Sequence, residues 1–194
     1  MKKELDPKQV KAIQEKLKNM SPDELKKLVK QQCLFCQISS GKVESRKVYE
    51  DDEILAILDI NPASKGHTLV LPKEHYQILA QIPDDLASKL FNVTNKLAVI
   101  LFDVVKAEGT NIFIANGQAA GQKSPHAVIH IIPRSEGDGI GLAWEPKKGD
   151  EKGLDELQKL IKDETIKLDV KKEQPKVVEK QIAEEEEYVE ERLP

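Results

Sequence analysis

Between Asn116 and Arg134 the chain reads N-G-Q-A-A-G-Q-K-S-P-H-A-V-I-H-I-I-P-R, a small-residue segment running straight into an extended apolar one. Gly117, Ala119, Ala120 and Gly121 let backbone amides come close to a ligand. Val128 to Ile132 is rich in β-branched residues and reads as a buried strand. Alternate side chains of a strand share a face, so His126, Val128 and His130 are expected to point one way, with Ala127, Ile129 and Ile131 pointing the other. The expected product is a strand leaving an anion-binding turn, one face chemical and the other core.

The rest of the chain places this strand in an antiparallel sheet. Lys47 to Glu50, Glu53 to Leu58 and Thr68 to Leu71 are short β-rich runs, the first two forming a hairpin across Asp51-Asp52. Thr110 to Asn116 supplies a further strand. From Asp84 to Glu108, apolar residues recur at three- and four-residue steps (Leu86, Leu90, Val93, Leu97, Ile100, Leu101, Val104, Val105), predicting a helix on one sheet face with Gly109 as its stop.

Both ends read as appendages. Residues 1–32 predict two short amphipathic helices, the second opened by Ser21-Pro22-Asp23-Glu24 as a capping box. Their simplest role is packing or dimer support, with a solvated Lys/Glu face. A further amphipathic helix is expected from Leu154 to Ile166, and beyond Lys171 the charged tail lacks any core pattern. The expected divisions are a helical extension over 1–32, a domain over 33–145, a C-terminal helix over 146–170 and a tail over 171–194.

A chain of 194 residues with 33% charged side chains and a net charge of -4 suits one soluble domain. Without a polybasic patch it is not expected to bind nucleic acid. Leu97 to Val105, an apolar run interrupted by Asp103, is too short to span a bilayer, and no signal peptide opens the sequence. A cytosolic protein with no membrane partner is expected.

Cys33 and Cys36 are the only cysteines. Two sulfurs in C-x-x-C suit a tetrahedral zinc that takes two further ligands, and they also suit a redox pair. A redox motif should open a helix after a strand, a context the sequence does not clearly offer.

P-H-A-V-I-H-I-I-P-R preceded by A-A-G-Q, together with V-Y-E-D-D-E-I-L-A-I-L-D-I-N-P-A-S-K-G-H-T-L-V-L-P-K-E-H, resembles the histidine-triad (HIT) family of nucleotide-binding proteins. Three histidines alternate along one strand in that family. The resemblance covers about residues 33 to 145 and implies a HIT-like α+β fold of about five antiparallel strands under a main helix. It implies a structural zinc on Cys33, Cys36, His75 and His126, and a homodimer with a continuous sheet, Trp144 packing near the seam. By the same resemblance Asp59 accepts hydrogen bonds from ribose hydroxyls and Ile38 and Ile60 wall the base. Without it, Asp59 reads as a turn residue.

The Gly-rich amides near Gly121, with Lys123 next to Ser124, would offer a phosphate several donors and one positive charge, Asn116 and Gln122 adding neutral donors, and the resemblance makes His130 a phosphate contact. Lys123 stands where the family usually carries a small hydroxyl residue, and reads either as an anion contact or as a mobile surface lysine. Val128 stands at the position of the nucleophilic histidine. Valine has no lone pair, and His130 lies two residues, about 6.5 Å, further along. His67 reads as a structural, hydrogen-bonded histidine.

Three functions are compatible with these residues. The first is a zinc-containing binder of a purine nucleotide or nucleoside phosphate with impaired hydrolysis. The second is an active hydrolase or transferase acting on nucleoside phosphoramidates or dinucleoside polyphosphates. The third is an interaction module with a vestigial pocket.

Overall fold

Ser21 closes the start of helix α1 (Pro22–Gln32) by the reciprocal pattern that S-P-D-E predicts: its hydroxyl accepts the Glu24 amide, and the Glu24 carboxylate accepts the Ser21 amide. The computed structural model describes Asp6, residues 19–141 and residues 145–165, in two units divided after Gly141. The first of the two predicted N-terminal helices lies outside the described residues. Cys33 ends α1 and begins the short α2 (Leu34–Ser39), so the C-x-x-C pair does open a helix, but one that follows another helix.

Five strands, β1 (Lys47–Glu50), β2 (Ile54–Leu58), β3 (Thr68–Pro72), β4 (Gly109–Ile114) and β5 (Ile129–Arg134), form one antiparallel sheet in the order β1-β2-β3-β5-β4. The β1–β2 hairpin forms as expected. Asp51 Oδ1 accepts the amides of Glu53 at 2.8 Å and Ile54 at 2.7 Å across its turn.

Helix α3 (Asp84–Val105) buries Leu86, Leu90, Thr94, Ala98 and Leu101, a stripe at helical spacing. The apolar members pack on Ile54, Ala56, Val70, Ala127, Ile129 and Ile131 to make the main core. The helix ends with its apolar pattern at Val105, before the predicted boundary at Glu108. Lys106 takes the left-handed conformation at φ 57°, and the Glu108 amide donates to Arg134 O at 2.8 Å, which recruits the next residues into the sheet. Gly109 therefore begins β4 instead of stopping the helix.

The opposite sheet face is also packed, which corrects the expectation of one purely chemical face. Leu55, Ile57, Leu69 and Leu71 join Ile38 in a second cluster, with Phe35, Val43 and Val128 against it. Burial on both faces explains why I-L-A-I-L and T-L-V-L-P read as continuous apolar runs.

The histidine-bearing strand starts at Ile129, one residue later than expected. Ile129 is the last rung to both neighbours, opposite Val70 and Ile114. Ahead of it the Ala127 amide leaves the ladder and donates to Tyr76 O at 2.7 Å. Alternation survives this departure: Ala127 and Ile129 enter the main core, and Val128 meets the second cluster.

Strand β4 is an edge, and it exposes Ile112 and Phe113, while α3 exposes Val99, Ile100 and Val104. In the second unit, α4 (Glu151–Thr165) replaces the predicted Leu154–Ile166 helix, with Leu154, Leu157, Leu160 and Ile161 exposed. Trp144 and the tail over 171–194 lie outside the described residues. No described helix is long and apolar enough to cross a membrane.

Candidate functional site

Among the described residues, two clusters of ligand-type side chains form in the first unit, and β5 with the residues just ahead of it contributes to both. One contains Cys33, Cys36, His75 and His126. Cys33 Sγ lies 3.4 Å from His126 Nδ1, and Cys36 Sγ lies 3.2 Å from His75 Nδ1 and 3.8 Å from His126 Nδ1. A tetrahedral ion with ordinary sulfur and imidazole bond lengths sets such atoms about 3.5 Å apart, so the four side chains can hold a metal.

Protonation favours the same conclusion. The Nε2–H of His126 donates to Pro72 O at 2.9 Å, which leaves the Nδ1 lone pair facing the sulfurs. Burial lowers the pKa of His126 to about 4, so its ring stays neutral. Burial, with the Cys33 sulfur beside it, pushes the Cys36 thiol up to about 12. A doubly charged cation held by these residues would reverse this and favour the thiolate form. Lys30 of α1 pairs with Glu74 at 2.7 Å, next to His75.

The second cluster is Asp59, His67 and His130. Sequence reasoning assigned His67 no part in it, yet His67 Nε2 lies 3.0 Å from His130 Nδ1. The signal was the β3–β5 register: Leu69 pairs with His130, which brings the residues just ahead of β3 alongside it. Sequence spacing alone does not supply that register.

The tautomers follow from one backbone group. Ala63 N–H donates to His67 Nδ1 at 3.1 Å, so this nitrogen carries no proton. In the neutral ring Nε2 then holds the hydrogen and donates it to His130 Nδ1, which leaves His130 with its proton on Nε2. Burial lowers both pKa values below the ordinary 6.5, which keeps both rings neutral. Asp59 Oδ2 stands 3.7 Å from His67 Nδ1, beyond a hydrogen bond, and its Oδ1 accepts the Asn61 amide at 2.8 Å. Asp59 is thus a turn residue with one oxygen toward the histidines.

The loop preceding His126 is held from within. Gly117 and Gly121 take φ values of 89° and 85° around a single turn over Gln118–Ala120. Gln122 Oε1 accepts the Gly117 amide at 2.7 Å, and Nε2 donates to Gln77 O at 2.7 Å and Ser124 O at 2.8 Å. Those bonds use both amide hydrogens, so Gln122 shapes the loop and has no free donor. Asn116 Oδ1 accepts the Leu79 amide at 3.0 Å, leaving its NH2 group. Ser124 is half-buried and Lys123 exposed. Ile38 is buried in the second apolar cluster, whereas Ile60 is 75% exposed and lies outside both clusters.

Residues 40–137 match the HIT domain family. The match begins after Cys33, Cys36 and Ile38. The chain is 43% identical over 124 residues to Protein hit of Bacillus subtilis, spanning 63% of this chain and 86% of that one. It is 34% identical over 145 residues to adenosine 5′-monophosphoramidase HNT1 of Candida albicans, covering 72% and 95%. Among solved structures, a Zn-bound histidine triad family protein from Mycobacterium smegmatis matches at a TM-score of 0.56 and 33% identity, over 68% of this chain and 99% of that one.

Proposed function

Because the chain belongs to the HIT domain family, we propose that it binds a purine nucleotide or nucleoside phosphate beside a structural zinc and hydrolyses it poorly or not at all. The family supports a nucleotide function in general, and the protonation of His130 carries the finer reading.

Covalent cleavage of a phosphate ester or amide by imidazole requires an unprotonated nitrogen directed at phosphorus. Val128 offers none, and its side chain lies against the second apolar cluster. His75 and His126 face the two cysteines. Both nitrogens of His67 are engaged, by Ala63 and by His130. What remains is the Nε2–H of His130, a donor suited to holding a phosphate oxygen and not to attacking phosphorus.

In this reading Asp59 accepts from the ribose diol, and Ile38 and Ile60 border the base. Loop amides near Gly121, with Asn116, Lys123 and Ser124, surround the phosphate, and Gln122 shapes that loop. Cys33, Cys36, His75 and His126 hold zinc, whose contribution is to fasten the α1–α2 turn to the chain entering β5. A domain over 33–145 would then include its metal ligands. The edge position of β4 and the exposed apolar residues of α3 support a homodimer. A cytosolic location accords with cysteines that form no disulfide.

The test is turnover of adenosine 5′-phosphoramidate and of a dinucleoside polyphosphate by zinc-loaded protein, native and Val128→His. Inert native protein, with cleavage gained in the variant, is the expected result. Turnover by the native protein would sink the reading and favour an active hydrolase with another nucleophile, to be sought first by His130→Ala.

A further inference from the structure

His75 and His126 leave the metal cluster along two chain segments that stay bonded to each other well beyond it. Tyr76 O, next after His75, accepts the amide of Ala127, next after His126, at 2.7 Å. Gln77 O then accepts Gln122 Nε2 at 2.7 Å, and Asn116 Oδ1 accepts the Leu79 amide at 3.0 Å. Residues successively further from His75 are thus tied to residues successively earlier in the loop between Asn116 and Ser124.

Gln122 is where these bonds meet. Its half-buried side chain accepts the Gly117 amide at 2.7 Å and donates to Ser124 O at 2.8 Å, with His126 O at 3.4 Å as a longer contact of the same nitrogen. One side chain therefore touches the backbone of a metal-ligand candidate, the backbone of Gln77 two residues past another, and both ends of the loop. Gln77 is held in turn, its amide donating to Gln81 Oε1 at 2.8 Å. A primary amide suits this position because it carries an acceptor and two donors on one rigid group.

The consequence concerns spacing. Cys33, Cys36, His75 and His126 closed on one ion keep His75 and His126 at a set separation, fixed by the tetrahedral bond lengths. Hydrogen bonds weaken steeply when stretched or bent, so the ties from Tyr76, Gln77 and Leu79 carry that separation into the loop. Resting on the nucleotide-binding reading above, we infer that metal occupancy sets the affinity of this loop for phosphate, with Gln122 as the positioning residue that transmits the effect. The ribose and base lie elsewhere in that reading, at Asp59, Ile38 and Ile60, so the linkage acts on the phosphate. It is reciprocal: a phosphate that favours the metal-bound loop tightens the metal by the same factor.

Calorimetric binding of AMP and of adenosine to the full chain, zinc-loaded and zinc-stripped, tests this in native protein and Gln122→Ala. Stripping zinc from native protein is expected to weaken AMP about tenfold, within the usual range of a coupling between two sites, and to leave adenosine nearly unchanged. Zinc-loaded Gln122→Ala should bind AMP about tenfold more weakly than native, and stripping should then add little. Zinc affinity, read by competition with a chelator, keeps the test decisive if the stripped chain does not stay folded. AMP should tighten zinc more than adenosine does in native protein, and that excess should vanish in Gln122→Ala. Equal losses of AMP and adenosine on stripping, AMP affinity indifferent to zinc, or an excess that survives in Gln122→Ala would overturn this inference and leave the nucleotide-binding reading standing. Failure of both probes to bind zinc-loaded native protein overturns both.

Discussion

His67 and His130 are joined through Nε2 and Nδ1 at 3.0 Å, and the proton between them is set by the amide of Ala63, four residues before His67. A backbone N–H cannot change its role, so it imposes one tautomer on the first ring and, through it, on the second. The ring that would touch ligand is therefore fixed by a group with no contact to it.

The expected tautomer can be read directly. Long-range proton–nitrogen NMR on histidine-labelled protein should show His130 protonated at Nε2 near pH 7.5, and His67→Gln should leave a mixture of forms. Predominant Nδ1–H at His130 in the native protein would break the hydrogen-bond chain as drawn.

The same pair gives a pH dependence. Both rings have folded-state pKa values below the ordinary 6.5, chiefly because of burial, so the folded chain takes up protons less readily than the unfolded one. Their contribution to stability is complete above pH 6.5 and is lost as pH falls through the lowered folded values. Melting temperature should fall from pH 7 toward pH 5, and less steeply in His67→Gln. Equal slopes for the two proteins would assign the acid sensitivity elsewhere.

Replacing Val128 should carry a structural cost. The valine is half-buried against Ile38, Leu55, Ile57, Leu69 and Leu71, and an imidazole there brings two polar nitrogens to an apolar wall. Chemical denaturation of Val128→His is expected to show a loss of about 1–2 kcal/mol. An unchanged midpoint would mean that the side chain turns away from the cluster.

Metal removal should be more damaging. Cys33 and Cys36 come from the junction of α1 and α2, His75 follows β3, and His126 precedes β5, so one ion joins segments far apart in sequence. Protein purified without chelator should hold one zinc per chain, and chelation should lower the melting temperature by roughly 10 °C. Cys36→Ser should reproduce that loss. Metal-free protein melting at the same temperature would remove the structural role.

Much of this architecture was legible in the sequence because local chemistry sets it. The capping box at Ser21, the turn at Asp51 and the apolar stripe of α3 each obey rules that act within a few residues. The Cys2His2 grouping was legible only through resemblance, since His75 and His126 belong to distant segments. Features decided by tertiary pairing escaped. Nothing local says that Lys106 will adopt a left-handed turn so that Glu108 can meet Arg134. Nor does composition say that Val128 will face an apolar cluster, or that Gln122 will bond inward and not toward a ligand. His67 was assigned a hydrogen-bonded role correctly, but its partner, 63 residues away, depends on register.

The double-sided burial of β2, β3 and most of β5 has a consequence for how this scaffold can acquire new chemistry. A sheet with one wetted face can exchange residues there at little cost. These three central strands have almost no such ground, because nearly every position in them supports packing above or below. Innovation in the centre of the sheet is thereby confined to strand ends and the loops beyond them, where Asp59, Lys123 and Val128 all reside. Those positions form the margin of the fold, and a descendant of this chain that acts on a different molecule should differ there first.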